Sequence, residues 1–469
     1  MRELSIPVGV SDFEEIRKNG YYYIDKSGLI KELLDSTGTE VTWITRPRRF
    51  GKTLGMSMLE NFFDIRKDSR QLFEGLEVTN HQTLCDEWMN QYPTIFVSFR
   101  QVDGLDFTGA YDMLTWVISE LYKRHLYLLE SDRINECDKE IARQLIRGNA
   151  SLKDTKGSLL LLTRLLEQYY GKPVILLIDE YDVPVAKANS NGYYKEMLDV
   201  MKGLMQALKD NQALRFAIIT GCLKIAKESI FTGTNNFVSD TIANSRLNEY
   251  FGFVQKEVDQ LLKDADLMER ADRMKEWYDG YHFGDFDVYC PWDVMNYLLE
   301  LQHNPKAKPI SYWKNTSDNA IIRSFIDYAG SNITKKLETL MAGGCIVQRV
   351  DENLTYDYLH SSEGNLWSIL YLTGYLTKVR KEDFYHAFLA GIFAGAGYMV
   401  ESNKEHGEGR SDVVVYDSAE GRVMIFEAKY SKTIDAMERD CQTAIKQIDE
   451  RMYAKEYEDS CDEVICYGI

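Results

Sequence analysis

The sequence lacks several features that would place it in a specialised class of protein. It contains no run of about 18 apolar residues, so it predicts no membrane-spanning helix. Its N-terminal stretch, MRELSIPVGVSDF, lacks the apolar core of a signal peptide, which predicts a cytoplasmic protein. Its eight cysteines include no C-x-x-C pair, which argues against a zinc site and against a disulfide framework. We find no internal repeat and no low-complexity linker.

An excess of basic charge is also absent, since the net charge is −18. Proteins that coat nucleic acid non-specifically are usually basic, because their affinity comes from releasing phosphate counterions. An acidic chain can act on nucleic acid only through a local basic groove or through bound metal ions. The 469 residues, 45% hydrophobic and 27% charged, fit a globular protein of two or three domains.

The stretch TRPRRFGKT (45–53) nearly matches the phosphate-binding loop G-x-x-x-x-G-K-[ST], whose backbone N–H groups cradle phosphates. Gly51, Lys52 and Thr53 fill the last three positions, but Arg46 replaces the first glycine. A strand-like run, EVTWITR, precedes the loop, and a helical spacing of apolar residues begins at the Lys-Thr pair. This order favours a nucleotide-binding loop. The alternative is a basic turn that happens to contain Gly-Lys-Thr.

Phosphate contacts in such a loop come mostly from N–H groups late in the loop and at the start of the helix, where the helix dipole reinforces them. Pro47 has no N–H, but it falls early in the loop, where a lost donor costs least. Arg46, Arg48 and Arg49 are expected to add positive charge beside the phosphates. The predicted nucleotide-binding residues of the loop are Arg49, Phe50, Gly51, Lys52, Thr53 and Leu54.

Two carboxylates end the apolar run of PVILLIDEYDVP (173–184). A carboxylate at the C-terminal end of a core strand lies at the ligand-binding edge of an α/β sheet. The pattern predicts that Thr53 ligates Mg²⁺, that Asp179 holds the ion through water, and that Glu180 orients and deprotonates the attacking water. Thr220, at the end of LRFAIIT, is placed to sense the γ-phosphate. An acidic turn at the end of the strand is the alternative.

The runs TIFVSF (94–99), VILLID (174–179) and LRFAIIT (214–220) are apolar throughout and are separated by helical stretches. Such runs are typical of parallel strands that are covered on both faces. The first module is therefore predicted to be α/β, built on a parallel sheet.

These motifs and the blocks around them resemble the bacterial AAA-ATPase-like family, over most of residues 5–380. The blocks are IPVGVSDFEEIRKNGYYYIDKSGLIKELL, TRPRRFGKTLGMSML, LIDEYDVP, ITGCLKIAKESIFTGTNNF and WYDGYHFG. The Arg-Pro-Arg-Arg form of the loop is the family's own. The resemblance implies a P-loop ATPase that uses ATP and Mg²⁺, with a helical lid in residues 248–380. It also implies that YYYIDKS (21–27) packs on the nucleotide-binding core, and members commonly carry a C-terminal PD-(D/E)XK nuclease-like domain.

An aromatic group surrounds the glycine turn of WYDGYHFG. Its members, Trp277, Tyr278, Tyr281 and Phe283, could form a platform on which bases stack. We favour the simpler interpretation, in which the four rings are part of a hydrophobic core.

The last ninety residues have the order αβββαβ, with an aspartate at the start of one strand and Glu-x-Lys at the end of the next. PD-(D/E)XK nucleases share this order. The pattern predicts that Asp412, Glu427 and the Ala428 carbonyl bind one Mg²⁺. Lys429 points to the same face as Glu427, where it could hold the metal-activated water and stabilise charge on the phosphate. A salt bridge between Asp412 and Lys429 is the alternative.

Three further residues could support this site, namely Glu405 as an additional metal carboxylate and Gln447 and Tyr453 from the following helix. The predicted domains are a P-loop domain (1–247), a helical lid and connector (248–380) and a small α/β PD-(D/E)XK nuclease-like domain (381–469). We expect the nucleotide state to control cleavage of DNA or RNA. The alternative is a nucleotide-switched binding protein whose nuclease-like domain is inactive. The sequence leaves homo-oligomerisation open.

Overall fold

The computed structural model of the chain divides into two compact units. One comprises Met1–Tyr328 and Arg349–Thr377, and the other comprises Ala329–Gln348 and Lys378–Ile469. Within the described part of the chain, no helix is long and apolar enough to cross a membrane. The residues that the structure describes are 4–35, 40–224, 237–313, 331–341, 344–352, 354, 362–378, 393, 398–402, 405–406, 409–418, 420–427, 429, 437–455, 457 and 461–468.

The first unit is built on a five-stranded sheet in which every strand pair is parallel, as the sequence predicted. The order across the sheet is β2-β3-β4-β1-β5, so strands that are distant in the chain become neighbours. Every residue of β1 and of β3 is buried, as expected for parallel strands that are covered on both faces of the sheet. The strands are β1 (Val41–Thr45), β2 (Thr94–Ser98), β3 (Val174–Asp179), β4 (Leu214–Gly221) and β5 (Phe237–Asp240).

Helices connect and cover these strands, and several begin at a side chain that accepts a hydrogen bond from the first turn, such as Asp12, Asp106 and Asn135. The α-helices are α1 (Phe13–Lys18), α2 (Gly28–Asp35), α3 (Lys52–Phe63), α4 (Arg70–Phe73), α5 (Gln82–Trp88), α6 (Phe107–Lys123), α7 (Glu136–Arg147), α8 (Leu152–Lys156), α9 (Ser158–Tyr170), α10 (Val183–Asn191), α11 (Tyr194–Leu204), α12 (Gln255–Asp264), α13 (Ala271–Tyr278), α14 (Pro291–His303), α15 (Ser331–Met341), α16 (Glu363–Leu372) and α17 (Met437–Glu450). Short 3-10 helices cover Glu77–Asn80, Leu126–Glu130, Met205–Leu208, Asn248–Tyr250 and Met268–Arg270.

The segment 21–27 packs on the core that surrounds helix α3. The ring of Tyr23 lies 5.4 Å from that of Phe13, and its hydroxyl lies 3.4 Å from the Met58 sulfur. Tyr22 and Lys26 instead reach helix α12, where the Tyr22 hydroxyl donates to Asp264 (2.7 Å) and the Lys26 ammonium pairs with Glu257 (2.7 Å). This segment therefore connects the sheet's helical cover to the helices beyond residue 248. A hairpin of β6 (Asp279–Phe283) and β7 (Phe286–Tyr289) follows helix α13.

The second unit contains helices α15 and α17 and a four-stranded sheet of order β13-β12-β11-β8. Strand β11 pairs antiparallel with β8 and with β12, whereas β12 pairs parallel with β13. The predicted helix at 384–398, with His386, lies outside the described residues apart from two positions. The strands are β8 (Met399–Ser402), β9 (Glu405–His406), β10 (Gly409–Arg410), β11 (Val413–Asp417), β12 (Arg422–Glu427) and β13 (Glu463–Gly468).

His125, between helices α6 and α7, is expected to make the free energy of unfolding depend on pH. Burial, then Arg66 and Arg124, lowers the pKa of His125 to about 3. In the unfolded chain the imidazole of His125 takes up a proton near pH 6.5, whereas in the folded chain it stays neutral until the pH approaches 3. The contribution of neutral His125 to the free energy of unfolding is therefore complete above pH 6.5 and is lost as the pH falls towards 3. When the pH falls from 7 to 5, the free energy of unfolding of the unmodified chain is expected to decrease by roughly 2 kcal/mol more than that of the His125→Gln variant. Thermal unfolding of both proteins at the two pH values checks this, and parallel shifts would contradict it.

Candidate functional site

The loop between β1 and helix α3 owes its shape to two residues with left-handed backbone conformations. Arg49 has φ 72° and Gly51 has φ 85°. A Cβ atom on Gly51 would meet nothing within 4 Å, so the glycine is needed for its conformation and not for space. Helix α3 then begins at Lys52, immediately after the second of these turns. The loop therefore delivers the N-terminus of a buried helix to the C-terminal edge of the sheet.

The Lys52 side chain is buried inside this loop. Its ammonium donates to the carbonyl oxygens of Arg46 (3.0 Å) and Pro47 (3.1 Å) and lies 3.9 Å from a carboxylate oxygen of Glu180. Burial opposes protonation, but the neighbouring Cys222 and Glu180 outweigh it and raise the pKa of Lys52. The group therefore stays charged beside the catalytic carboxylate that the sequence predicted.

Asp179 is the centre of a cluster of three hydroxyl groups. Its carboxylate accepts hydrogen bonds from Thr220 (2.7 Å), Thr53 (3.0 Å) and Ser98 (3.1 Å). Burial, and then the charge of Glu180, raises the pKa of Asp179, while the Thr220 and Thr53 hydroxyls oppose the shift. Thr53 and Asp179 thus lie side by side, as a shared Mg²⁺ site requires. The Thr220 hydroxyl donates to Asp179, and its contact with the γ-phosphate stays a prediction.

Arg46 does not add charge beside the phosphates, and that part of the sequence interpretation is wrong. Its side chain is fully buried, and its guanidinium donates to the carbonyl oxygens of Thr45 and Asp240, each at 2.8 Å. It also lies 5.2 Å from the ring centre of Phe251. Arg46 therefore ties the end of β1 to β5, which explains why a large residue replaces the glycine of the common motif.

A cavity of about 400 Å³ opens in front of the loop. Its volume lies in the range of small-molecule sites, which is roughly 300–1,000 Å³. The predicted loop residues 49–54 all line it, together with segments 7–11 and 22–24 and residues of 250–253 and 291–296. Its charged lining is strongly basic although the chain is acidic. Among the described residues that line it, Glu180 is the one acidic residue, and the basic residues are Lys26, Arg48, Arg49, Lys52, Arg100 and Lys187.

The aromatic turn near residue 280 packs on the phosphate loop. The buried ring of Phe50 lies 4.9 Å from Tyr281 and 5.1 Å from Phe283. Tyr278 is also buried, and its hydroxyl donates to the carbonyl oxygen of Ile310 at 2.9 Å. Trp277 departs from the prediction, since half of its side chain is exposed. The cluster therefore acts mainly as core, and it fixes the loop's conformation.

Two polar groups at this edge of the sheet, the buried Asp182 and the partly buried Ser98, were not predicted from the sequence. Asp182 accepts hydrogen bonds from the backbone N–H groups of Cys222 and Leu223, each at 3.0 Å, and so connects the end of β3 to the end of β4. Burial and the charge of Glu180 raise the pKa of Asp182 to about 6. Ser98 supports Asp179. The available signal for both was a polar residue at or just beyond the C-terminal end of an apolar strand.

Glu427 is the centre of the second predicted site. It ends β12 with its side chain buried, and its carboxylate accepts hydrogen bonds from Lys429 (3.0 Å) and from Gln447 of helix α17. Gln447 lies 3.5 Å from the Tyr453 hydroxyl. Val413 pairs with Phe426, so continuing the register by one residue sets Asp412 opposite Glu427. The structure thus assembles the predicted residues at one end of the β11–β12 pair.

Two other predicted members of this site lie wholly or partly outside the part of the chain that the structure describes. Ala428 lies outside the described residues, and so does the side chain of Glu405, whose backbone forms a two-residue strand with Gly409–Arg410. Within the described part of the chain, no three His, Cys, Asp or Glu side chains come together as a metal-binding group.

Comparisons with known proteins match both regions. A protein of Azotobacter chroococcum mcd 1, described as "Uncharacterized protein in vnfD 5'region", is 28% identical over 345 residues, which are 73% of this chain and 60% of that protein. The chain therefore spans less than two thirds of that relative's length. Residues 7–231 match the family described as "Predicted AAA-ATPase", and residues 380–469 match the "PD-(D/E)XK nuclease superfamily". The predicted architecture is confirmed: a predicted AAA-ATPase domain is followed by a domain of the PD-(D/E)XK nuclease superfamily.

Proposed function

We propose that this chain binds and hydrolyses ATP with Mg²⁺, and that its nucleotide state controls a metal-dependent nuclease-like domain acting on DNA or RNA in the cytoplasm. The observation that carries the proposal is the cluster of Lys52, Thr53 and Asp179 at the N-terminus of a buried helix, beside a basic cavity. We assign residues 1–247 to the ATPase core, 248–380 to its lid and connector, and 381–469 to the nuclease-like domain.

The cavity fits a nucleoside triphosphate on its own chemistry. Its basic lining matches a polyphosphate, and the first residues of helix α3 line it, where the N-terminus of a helix favours anions. Thr53 and Asp179 supply hard oxygen donors, the ligands that Mg²⁺ prefers. Bound there, the ion would neutralise charge on the terminal phosphates. Lys52 binds the phosphates, and Glu180 holds and deprotonates the attacking water.

The second site fits one divalent cation. Asp412 and Glu427 are carboxylates at the same end of two paired strands, and Lys429 lies 3.0 Å from the Glu427 carboxylate. A cation held by the two carboxylates would activate water for attack on a phosphodiester. Lys429 stabilises the charge that develops on the phosphate, and Gln447 orients Glu427.

The alternative is a nucleotide-switched binding protein without nuclease activity. It is favoured by the direct contact between Lys429 and Glu427, because an ordinary buried ion pair would have the same geometry. In that case the second unit would recognise nucleic acid or another partner without cutting it.

Cleavage assays under defined nucleotide states distinguish the two functions. The full chain is incubated with labelled DNA and RNA in Mg²⁺ or Mn²⁺, with ATP, with ADP, with a non-hydrolysable ATP analogue and without nucleotide. We expect cleavage whose rate differs between the ATP and ADP states and which a chelator abolishes. Binding that changes with nucleotide in the absence of any cleavage would select the alternative. Cleavage that is indifferent to nucleotide would contradict the proposed control.

A further inference from the structure

The sheet register brings Arg100 to the catalytic edge of the ATPase sheet. Ser98 of β2 pairs with Asp179 of β3, and the N–H of Phe99 donates to the Asp179 carbonyl oxygen at 3.0 Å. Arg100 therefore leaves β2 beside the point at which Glu180 leaves β3. Both side chains line the cavity in front of the phosphate loop. An arginine thus emerges next to Glu180, the carboxylate that is proposed to deprotonate the attacking water.

Arg100 and Arg49 form a pair of guanidinium groups on this cavity. Among the described residues, neither side chain makes a hydrogen bond or an ion pair, and the contact of Arg49 is with the ring of Trp292, 4.0 Å from its centre. Burial, and then the positive charge of Arg100, lowers the pKa of Arg49. Two like charges that line one cavity repel each other, and an anion bound beside both of them would relieve that repulsion.

Two other cations that line this cavity, Lys187 and Lys26, are paired with acidic side chains of the protein. Lys187 lines the cavity from helix α10, and its ammonium lies 3.2 Å from a carboxylate oxygen of Asp103. Lys26 is likewise paired, with Glu257 at 2.7 Å. The charges of these two lysines are balanced by the protein itself, whereas those of Arg49 and Arg100 are available to a ligand.

We propose that Arg100, together with Arg49, binds the terminal phosphate of the nucleoside triphosphate and that Arg100 is a catalytic residue supplied by the same chain. This inference rests on the proposed ATPase function. Water oxygen forms a bond to the terminal phosphorus while the bond from that phosphorus to the bridging oxygen breaks. The water proton goes to Glu180, and the nucleoside diphosphate leaves with the bridging electron pair. The guanidinium of Arg100 donates to the oxygens on which charge increases.

The test compares affinity for ATP with affinity for ADP, because only ATP carries the terminal phosphate. Arg100→Ala is expected to weaken ATP binding about tenfold or more, with ADP binding changed less than about twofold, since one charge-assisted contact is lost. Single-turnover hydrolysis is expected to fall at least about 100-fold, because arginines in this role contribute roughly 10³-fold or more. Arg100→Lys should recover part of the ATP preference. Arg100 is exposed, so these changes are not expected to disturb folding.

Lys187→Ala is the matched control, because it removes one positive charge from the same cavity. It should leave the ratio of the two affinities unchanged. An unchanged ratio and rate in Arg100→Ala, an equal loss of ATP and ADP binding, or the same change of ratio in Lys187→Ala would each overturn the inference while the ATPase function stands. If the unmodified chain binds neither nucleotide, the proposed function fails, and the inference fails with it.

Discussion

Lys52→Ala is expected to lose ATP binding by at least about 100-fold, because the ammonium makes several charge-assisted contacts with the phosphates. In the structure this group is already positioned at the loop, 3.0 Å from the Arg46 carbonyl oxygen and 3.9 Å from Glu180. Glu180→Gln is its counterpart: it keeps the shape of the side chain but removes the base. That variant should bind ATP normally and hydrolyse it at least about 100-fold more slowly.

Equilibrium binding of a fluorescent ATP analogue and a phosphate-release assay measure both variants. Lys187→Ala serves as a control for lost charge, since its ammonium is balanced by Asp103. Thermal unfolding confirms that each variant is folded, which matters because Lys52 is buried. Unchanged ATP affinity in a folded Lys52→Ala protein would show that the loop is a basic turn and not a nucleotide site.

Replacing Asp412, Glu427 or Lys429 by alanine is expected to reduce nucleic-acid cleavage at least about 100-fold in each case. Loss of a metal carboxylate, or of the lysine that stabilises charge on the phosphate, typically costs that much. ATP hydrolysis should survive in all three variants, because their sheet is separate from the sheet that carries Lys52 and Asp179. Parallel cleavage and phosphate-release assays on the same preparations measure both activities.

The same strand pair offers a control at its other end. Arg422 and Asp417 form a cross-strand ion pair at 3.0 Å, at the end of β11 and β12 away from Glu427. Arg422→Ala removes an ion pair from the same two strands but should leave cleavage intact. Cleavage that persists in Asp412→Ala would place the activity elsewhere. Absence of cleavage in the unmodified chain would instead favour the alternative, a nucleotide-switched binding protein without nuclease activity.

The phosphate loop contains residues whose roles could be predicted from the local sequence and one, Arg46, whose role could not. The roles of Gly51, Lys52 and Thr53 could be predicted because a phosphate loop needs, in this order at the start of a helix, a residue for a tight turn, a cation that binds phosphate and a hydroxyl that ligates the metal ion. The prediction for Arg46 was wrong because the loop sequence is compatible with both directions of its guanidinium, towards the phosphates and into the protein. Its guanidinium donates to the carbonyl oxygens of Thr45, Asp240 and Arg246, and the last two lie 194 and 200 residues away in the chain. No local pattern contains that information.

The sequence by itself determined the parallel α/β sheet, the strand–loop–helix phosphate motif, the acidic end of β3 and the Glu-x-Lys end of β12. Each of these follows from local apolar periodicity and from the spacing of a few neighbouring residues. Only the tertiary structure decided which distant groups meet: Ser98 and Thr220 at Asp179, and Arg100 beside Glu180. The reason is the strand order β2-β3-β4-β1-β5, which sets segments far apart in the chain side by side at one edge. Whether a charge is then balanced by the protein or left for a ligand depends on those neighbours.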